Sequence, residues 1–156
     1  MKSAADIERV IQRLRVLGVD LEALDKAPWI PEVEKRFKRE LPPLYRSLVL
    51  RFGFLTCEVG EVELFSSLGV GDPEDITVAP FADPYLSPWL IEHGYIQFGR
   101  PATGSYDPVC FDYSVRLRAP EPAVVALDHE DILLERPTVR KRVLAENFLT
   151  LVGVAD

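Results

Sequence analysis

The chain has 156 residues, 47% of them hydrophobic, and a formal net charge of -7 at pH 7. That length and apolar content suit one domain spanning residues 1–156 and argue against wholesale disorder. The acidic balance disfavours nucleic acid and anionic membranes unless positive groups segregate, and it suits a basic partner.

Residues 4–18 read as a helix, because Ile7, Val10, Ile11, Leu14 and Leu17 recur at three- and four-residue spacing. Ser3 or Asp6 caps its start and Gly18 its end. Pro31 then opens a second helix over 32–39, with Val33 and Phe37 on the buried side. Its basic run, Lys35, Arg36, Lys38 and Arg39, sits where positive charge suits a helix C-terminus. The pair Pro42-Pro43 stops that helix and starts a third, whose Leu44, Leu48 and Phe52 lie four apart. Gly53 reads as its left-handed C-cap.

Short strands are expected at 54–58 and 60–65, followed by a loop over 66–83 holding Asp72, Glu74 and Asp75. A helical turn follows, with Ser87 as cap and Pro88 at its first position. The centre of the molecule is Gly94 to Leu127. Ile96 and Phe98 alternate with Tyr95 and Gln97, which predicts a strand with one buried face. Val109 to Tyr113 gives a second strand, which Val115 to Leu117 extends, and Ala123 to Leu127 a third. Between the first two, Gly104 to Pro108 reads as a turn. An acidic turn at 128–131 and a final helix over 139–151 complete the chain, with Asn147 an ordinary member of that helix and the last residues frayed. The fold class is therefore α+β: a mostly antiparallel central sheet flanked by N-terminal helices and a C-terminal helix.

The residues that carry common chemistries are not in the required patterns. His93 and His129 lack metal-ligand spacing, and there is no phosphate-binding glycine loop or nucleophile elbow. Cys110 lies within an apolar strand with nothing to place a base beside it. Asp107 and Asp112 are expected to hold backbone or arginine donors rather than a metal. No catalytic, cofactor-binding or metal-ligating residue is assigned. Cys57 and Cys110 are too few for a disulfide framework. No leader-like segment opens the chain, and no apolar run approaches the ~20 residues of a membrane span. A cytoplasmic protein with free thiols is the expectation. The sequence leaves its oligomeric state open.

In order, these blocks resemble the SMI1/KNR4 (SUKH) superfamily. The first is Glu40 to Tyr45, a Leu41-Pro42 junction leading to a tyrosine-bearing helix, followed by Phe52-Gly53. Gly60 with Leu64-Phe65 is the second, and Ile96 to Gly99 with Gly104 to Asp112 the third. Val124 to Asp131 and the closing Phe148 complete the match over residues 30–152. Residues 66–90 and the Pro120–Pro122 stretch depart from the pattern. Bacterial members look like immunity proteins that neutralise polymorphic or contact-dependent toxins, including nucleases and deaminases. The resemblance therefore implies a non-enzymatic, toxin-neutralising protein without a cofactor, or else a regulatory interaction module of the same fold. The partner surface is expected in the divergent segment: Asp72, Glu74, Asp75 and Asp83 for steering a basic toxin, with Tyr85 and Trp89 as aromatic anchors.

Overall fold

The computed structural model describes residues 4–116 and 120–154. Helix α1 (Ala4–Val16) leads through β1 (Glu22–Ala23) to α2 (Trp29–Phe37) and α3 (Pro43–Arg51). Then come β2 (Phe52–Gly53), β3 (Cys57–Val59), β4 (Val62–Leu64), a 3-10 turn at Ala79–Phe81 and α4 (Leu86–Glu92). The chain continues as β5 (Tyr95–Pro101), β6 (Val109–Asp112), β7 (Ala123–Leu127), α5 (His129–Leu133), β8 (Lys141–Ala145) and α6 (Phe148–Leu151). Strands β3 to β8 form one six-stranded sheet in sequence order, and each pairs antiparallel with its neighbour. Strands β1 and β2 make a separate two-stranded pair. The fold is α+β, with helices packed on an antiparallel sheet.

Both faces of the sheet are covered. Ile96, Phe98, Val109, Phe111, Val124 and Ala126 point into a main core shared with α1, α2, α3 and α6. Tyr95, Cys110, Val125 and Leu127 point the other way, against Leu86 and Leu90 of α4 and Ile132 of α5. The expectation of one buried face on β5 is thus corrected: the excursion before β5 supplies a second layer. Tyr45 sits at the middle of the main core, 5.7, 5.3 and 5.6 Å from the ring centres of Phe98, Phe111 and Phe148. Such aromatic pairs contribute about 0.5–1.5 kcal/mol each beyond area burial. Leu41, Pro42 and Phe148 are buried with it, as structural positions should be.

Several expectations need correction. Gly53 is not a left-handed cap, because Phe52 ends α3 in extended geometry and Gly53 pairs with Glu22. Its place is close to a neighbour: a β-carbon there would stand 2.9 Å from Leu68 Cδ2, a side-chain end that would have to shift. Residues 141–145 form a strand rather than the start of a final helix, because pairing with β7 satisfies their backbone. Asn147 consequently becomes the N-cap of a short α6, accepting from the Thr150 amide at 2.8 Å. The acidic turn at 128–131 is the start of α5, capped by Asp128. Gly18 and Gly104 do adopt positive φ, +87° and +89°. Ser3, Leu117 and the last two residues lie outside the described residues.

Candidate functional site

The segment between β4 and β5 carries most of the residues expected to meet a partner, and one carboxylate organises its first half. Asp75 Oδ2 accepts from the Val70 amide at 2.9 Å, and Oδ1 from the Thr77 amide at 3.1 Å. Its own backbone bridges Ser66. The side chain is 0% exposed, so Asp75 cannot present a steering charge, and its place among the partner residues is corrected. In sequence it is indistinguishable from its neighbours Asp72 and Glu74, which are exposed.

Asp83 organises the second half. Its Oδ1 accepts from the Tyr85 and Leu86 amides, both at 2.8 Å, and so caps α4. Ser87, expected as that cap, is inside the helix and buried. Asp83 Oδ2 accepts from the Tyr106 hydroxyl at 2.8 Å. Burial works against its charge. The Leu86 and Tyr85 amides, the Tyr106 hydroxyl and the charge of Arg100 outweigh burial and hold the carboxyl below its usual range. Tyr85 is 74% exposed, as an anchor must be. Trp89 is half-buried, lying between His93 and Tyr95 with ring centres 4.0 and 5.9 Å away. It packs onto the second core, which leaves Tyr85 as the free aromatic.

Two depressions lie near this segment, and of the expected partner residues Asp83 lines one of them. One is a groove of about 660 Å³ between the end of α2 and α4, lined by Arg36 and Lys38 on one side. Phe81, Pro84, Pro88 and Ile91 also line it, together with Asp83, Ser87 and Glu92, and Tyr85 follows Pro84 in the chain. The other is a socket of about 290 Å³ lined by Val19, Phe54, Leu55, Cys57 and Leu68, with Asp20 and Glu22 at its edge. Thr56 lines the same socket and donates to Glu74 Oε2 at 3.4 Å, which brings the acidic loop to its rim. Leu55 is 69% exposed there. Among the described residues, none of Asp20, Glu22, Asp72 and Glu74 forms a salt bridge. Asp20, Glu22 and Leu55 were missed by sequence reasoning: they come from distant segments, and only the β1–β2 pairing brings them together. The Cys57 thiol is pushed up to about 11 by burial and by the charge of Glu63, so it stays protonated near neutral pH.

The remaining polar residues hold loops in place. Asp107 Oδ1 accepts from the His129 amide at 3.0 Å and faces His129 Nδ1 at 2.6 Å, tying the β5–β6 loop to α5. Asp112 accepts from the Ser114 amide and from Lys141 Nζ, at 2.8 and 2.9 Å. The expected backbone donors are present for both, but the side-chain partner is His129 for Asp107 and Lys141 for Asp112, not arginine. No group of three His, Cys, Asp or Glu suited to a metal occurs among the described residues. No described helix is long and apolar enough to cross a membrane. Neither a protein-family model nor a curated protein matches the chain.

Proposed function

We propose that the chain is a non-enzymatic toxin-neutralising protein that binds a basic toxin through the acidic socket. The observation that carries this reading is a pair of carboxylates without a salt bridge among the described residues, Asp20 and Glu22, lining an apolar depression with Leu55 exposed in it, to which the Thr56–Glu74 hydrogen bond ties the acidic loop. Charge of one sign around a low-dielectric wall focuses the field and speeds encounter with a basic partner. The apolar socket then supplies the desolvated contact that slows dissociation. The resemblance to bacterial SUKH immunity proteins supplies the class of partner, and a cytoplasmic location goes with that role. A second reading, a regulatory interaction module of the same fold, is favoured by the separate groove at α4, which a single-face inhibitor does not need.

The test is the kinetics of binding to an inactivated toxin domain encoded beside this gene. Reversing Asp20, Glu22, Asp72 and Glu74 to lysine is expected to slow association about tenfold or more at low salt, with the effect shrinking as salt rises. Leu55→Ala is expected to speed dissociation with little change in association. Parent-like rates for both variants, each shown to be folded, would move the partner surface elsewhere. Binding to non-toxin partners alone would favour the regulatory module.

A further inference from the structure

We infer that the groove between α2 and α4 is a second binding site, which takes an acidic peptide segment of a protein partner with an apolar side chain next to its carboxylate. The inference stands apart from the acidic socket, since the groove has a different lining, with Arg36 and Lys38 beside Asp83 and Glu92, where the socket has carboxylates and no cation.

The argument starts from segregated positive charge. Lys35 and Arg36 close α2 and Lys38 and Arg39 follow it, and among the described residues none of them meets a carboxylate in a salt bridge. The acid nearest on the same helix, Glu34, is occupied by Arg46 at 2.8 and 3.3 Å and by the Leu41 amide at 2.8 Å. In a chain of net charge -7, two of these cations, Arg36 and Lys38, line the groove without a salt bridge among the described residues and can meet an anion there, while Arg39 lies over Tyr113. Arg36 is also prepared for one. Its guanidinium carbon lies over Phe81, 3.8 Å from the ring centre, and Nη1 donates to the Thr77 carbonyl at 3.4 Å. Such contacts hold a fork of donors in place, which is the geometry a carboxylate accepts.

The floor supplies the rest of the ligand's description. Pro84, Pro88 and Ile91 continue the apolar surface from Phe81, and the volume of about 660 Å³ lies within the ~300–1,000 Å³ of ligand clefts. The groove is open along its length, which suits an extended segment lying on the surface. The opposite wall sets direction. Asp83 is occupied by the α4 amides and Tyr106, but Glu92 makes no hydrogen bond or salt bridge among the described residues. An acidic residue is therefore repelled at the Glu92 end and accepted at the Arg36–Lys38 end. One carboxylate, placed to one side of the apolar residue, fits; one on both sides does not.

The probes are acetylated, amidated hexapeptides with one Leu, Phe or Trp, flanked by Glu on one side, Glu on both sides, Gln or Lys. Titration is followed through the backbone amide spectrum of the ¹⁵N-labelled full chain. Peptides with one flanking Glu are expected to shift the Arg36, Lys38, Ile91 and Glu92 amides and to bind at least tenfold tighter than their Gln counterparts. The Lys38 side chain makes no hydrogen bond or salt bridge among the described residues, and Lys38→Glu is expected to weaken binding at least tenfold. Arg36→Glu does the same, with its fold checked because Arg36 also holds Thr77. Glu92→Gln is expected to restore peptides with Glu on both sides. Equal binding of Gln or Lys peptides at these amides, no movement of these amides by any Glu peptide, or unchanged affinity in Lys38→Glu would overturn the proposal. Since neither toxin nor socket enters the titration, its failure leaves the acidic-socket reading untouched.

Discussion

Replacing Asp75 tests whether one buried carboxylate holds together the segment that carries both depressions. In Asp75→Ala the Val70 and Thr77 amides lose their acceptor, at 2.9 and 3.1 Å. Hydrogen bonds to a charged group contribute about 1.5–3 kcal/mol each, so the gross loss is roughly 3–6 kcal/mol. Two effects reduce it. Val70 is exposed, and water can take over part of its amide's need. Removing a fully buried charge also relieves its desolvation cost. The net expectation is about 2–4 kcal/mol. Asp75→Asn should fall between alanine and parent, because one amide oxygen still accepts while the NH₂ group opposes the other donor. Urea unfolding followed by circular dichroism measures the change, and hydrogen exchange at Val70 and Thr77 locates it. An unchanged midpoint and slope for Asp75→Ala, with parent-like protection at both amides, would refute the assignment.

Other outcomes follow from the same reasoning. Asp112→Ala removes the acceptor for the Ser114 amide and for Lys141 Nζ, and is expected to lower unfolding free energy by about 1–3 kcal/mol; an unchanged midpoint would remove this role. Asp83, Asp107 and Asp112 are each held below the usual carboxylate range, despite partial burial, by hydrogen bonds from their partners. Their stabilisation is complete above the unfolded value of about 3.9 and is lost as pH falls through the lower folded values, so the urea midpoint should be flat near neutrality and fall in acid below about pH 4. A midpoint indifferent to acid would contradict this. Gly69→Ala places a β-carbon 2.3 Å from Trp29 Cδ1 at φ +74°, and should cost about 2 kcal/mol or more in the same unfolding assay; a neutral result would mean that Trp29 moves freely.

What the sequence revealed, and what it hid, has physical causes. Helices α1 to α3 are legible because apolar residues recur at helical spacing and prolines mark their boundaries. The central strands are legible from alternation, yet the second core was available in the same residues: Ala123 to Leu127 is apolar at every position, as a strand buried on both faces should be. Strand β8 was hidden because Leu144, Phe148 and Leu151 imitate helical spacing, and only the backbone partners on β7 decide between the two periods. Of the proposed partner residues, Asp72, Glu74 and Tyr85 are exposed, as an acidic loop with an unburied ring reads in the sequence. The burial of Asp75 was not legible, because it depends on amides at Val70 and Thr77 folding back around it. Leu55, Asp20 and Glu22 required tertiary structure, being far from that loop in sequence.

The excursion between β4 and β5 begins and ends at the same place. Val62 pairs with Pro101 and Leu64 with Gly99, so residues 65–94 leave one strand and return to the adjacent one. The ladder fixes their ends, and the entropy of closing a loop grows only slowly with its length. Residues 65–94 are thus a cassette on a constant hairpin, free to change length and charge. Its attachment is a short set of buried contacts: Phe65 and Ile76 in one core, Leu86 and Leu90 in the other. A lineage that keeps those apolar positions, the Asp75 carboxylate and the close approach of Gly69 to Trp29 can exchange the exposed remainder of the cassette while the other strands and helices stay as they are.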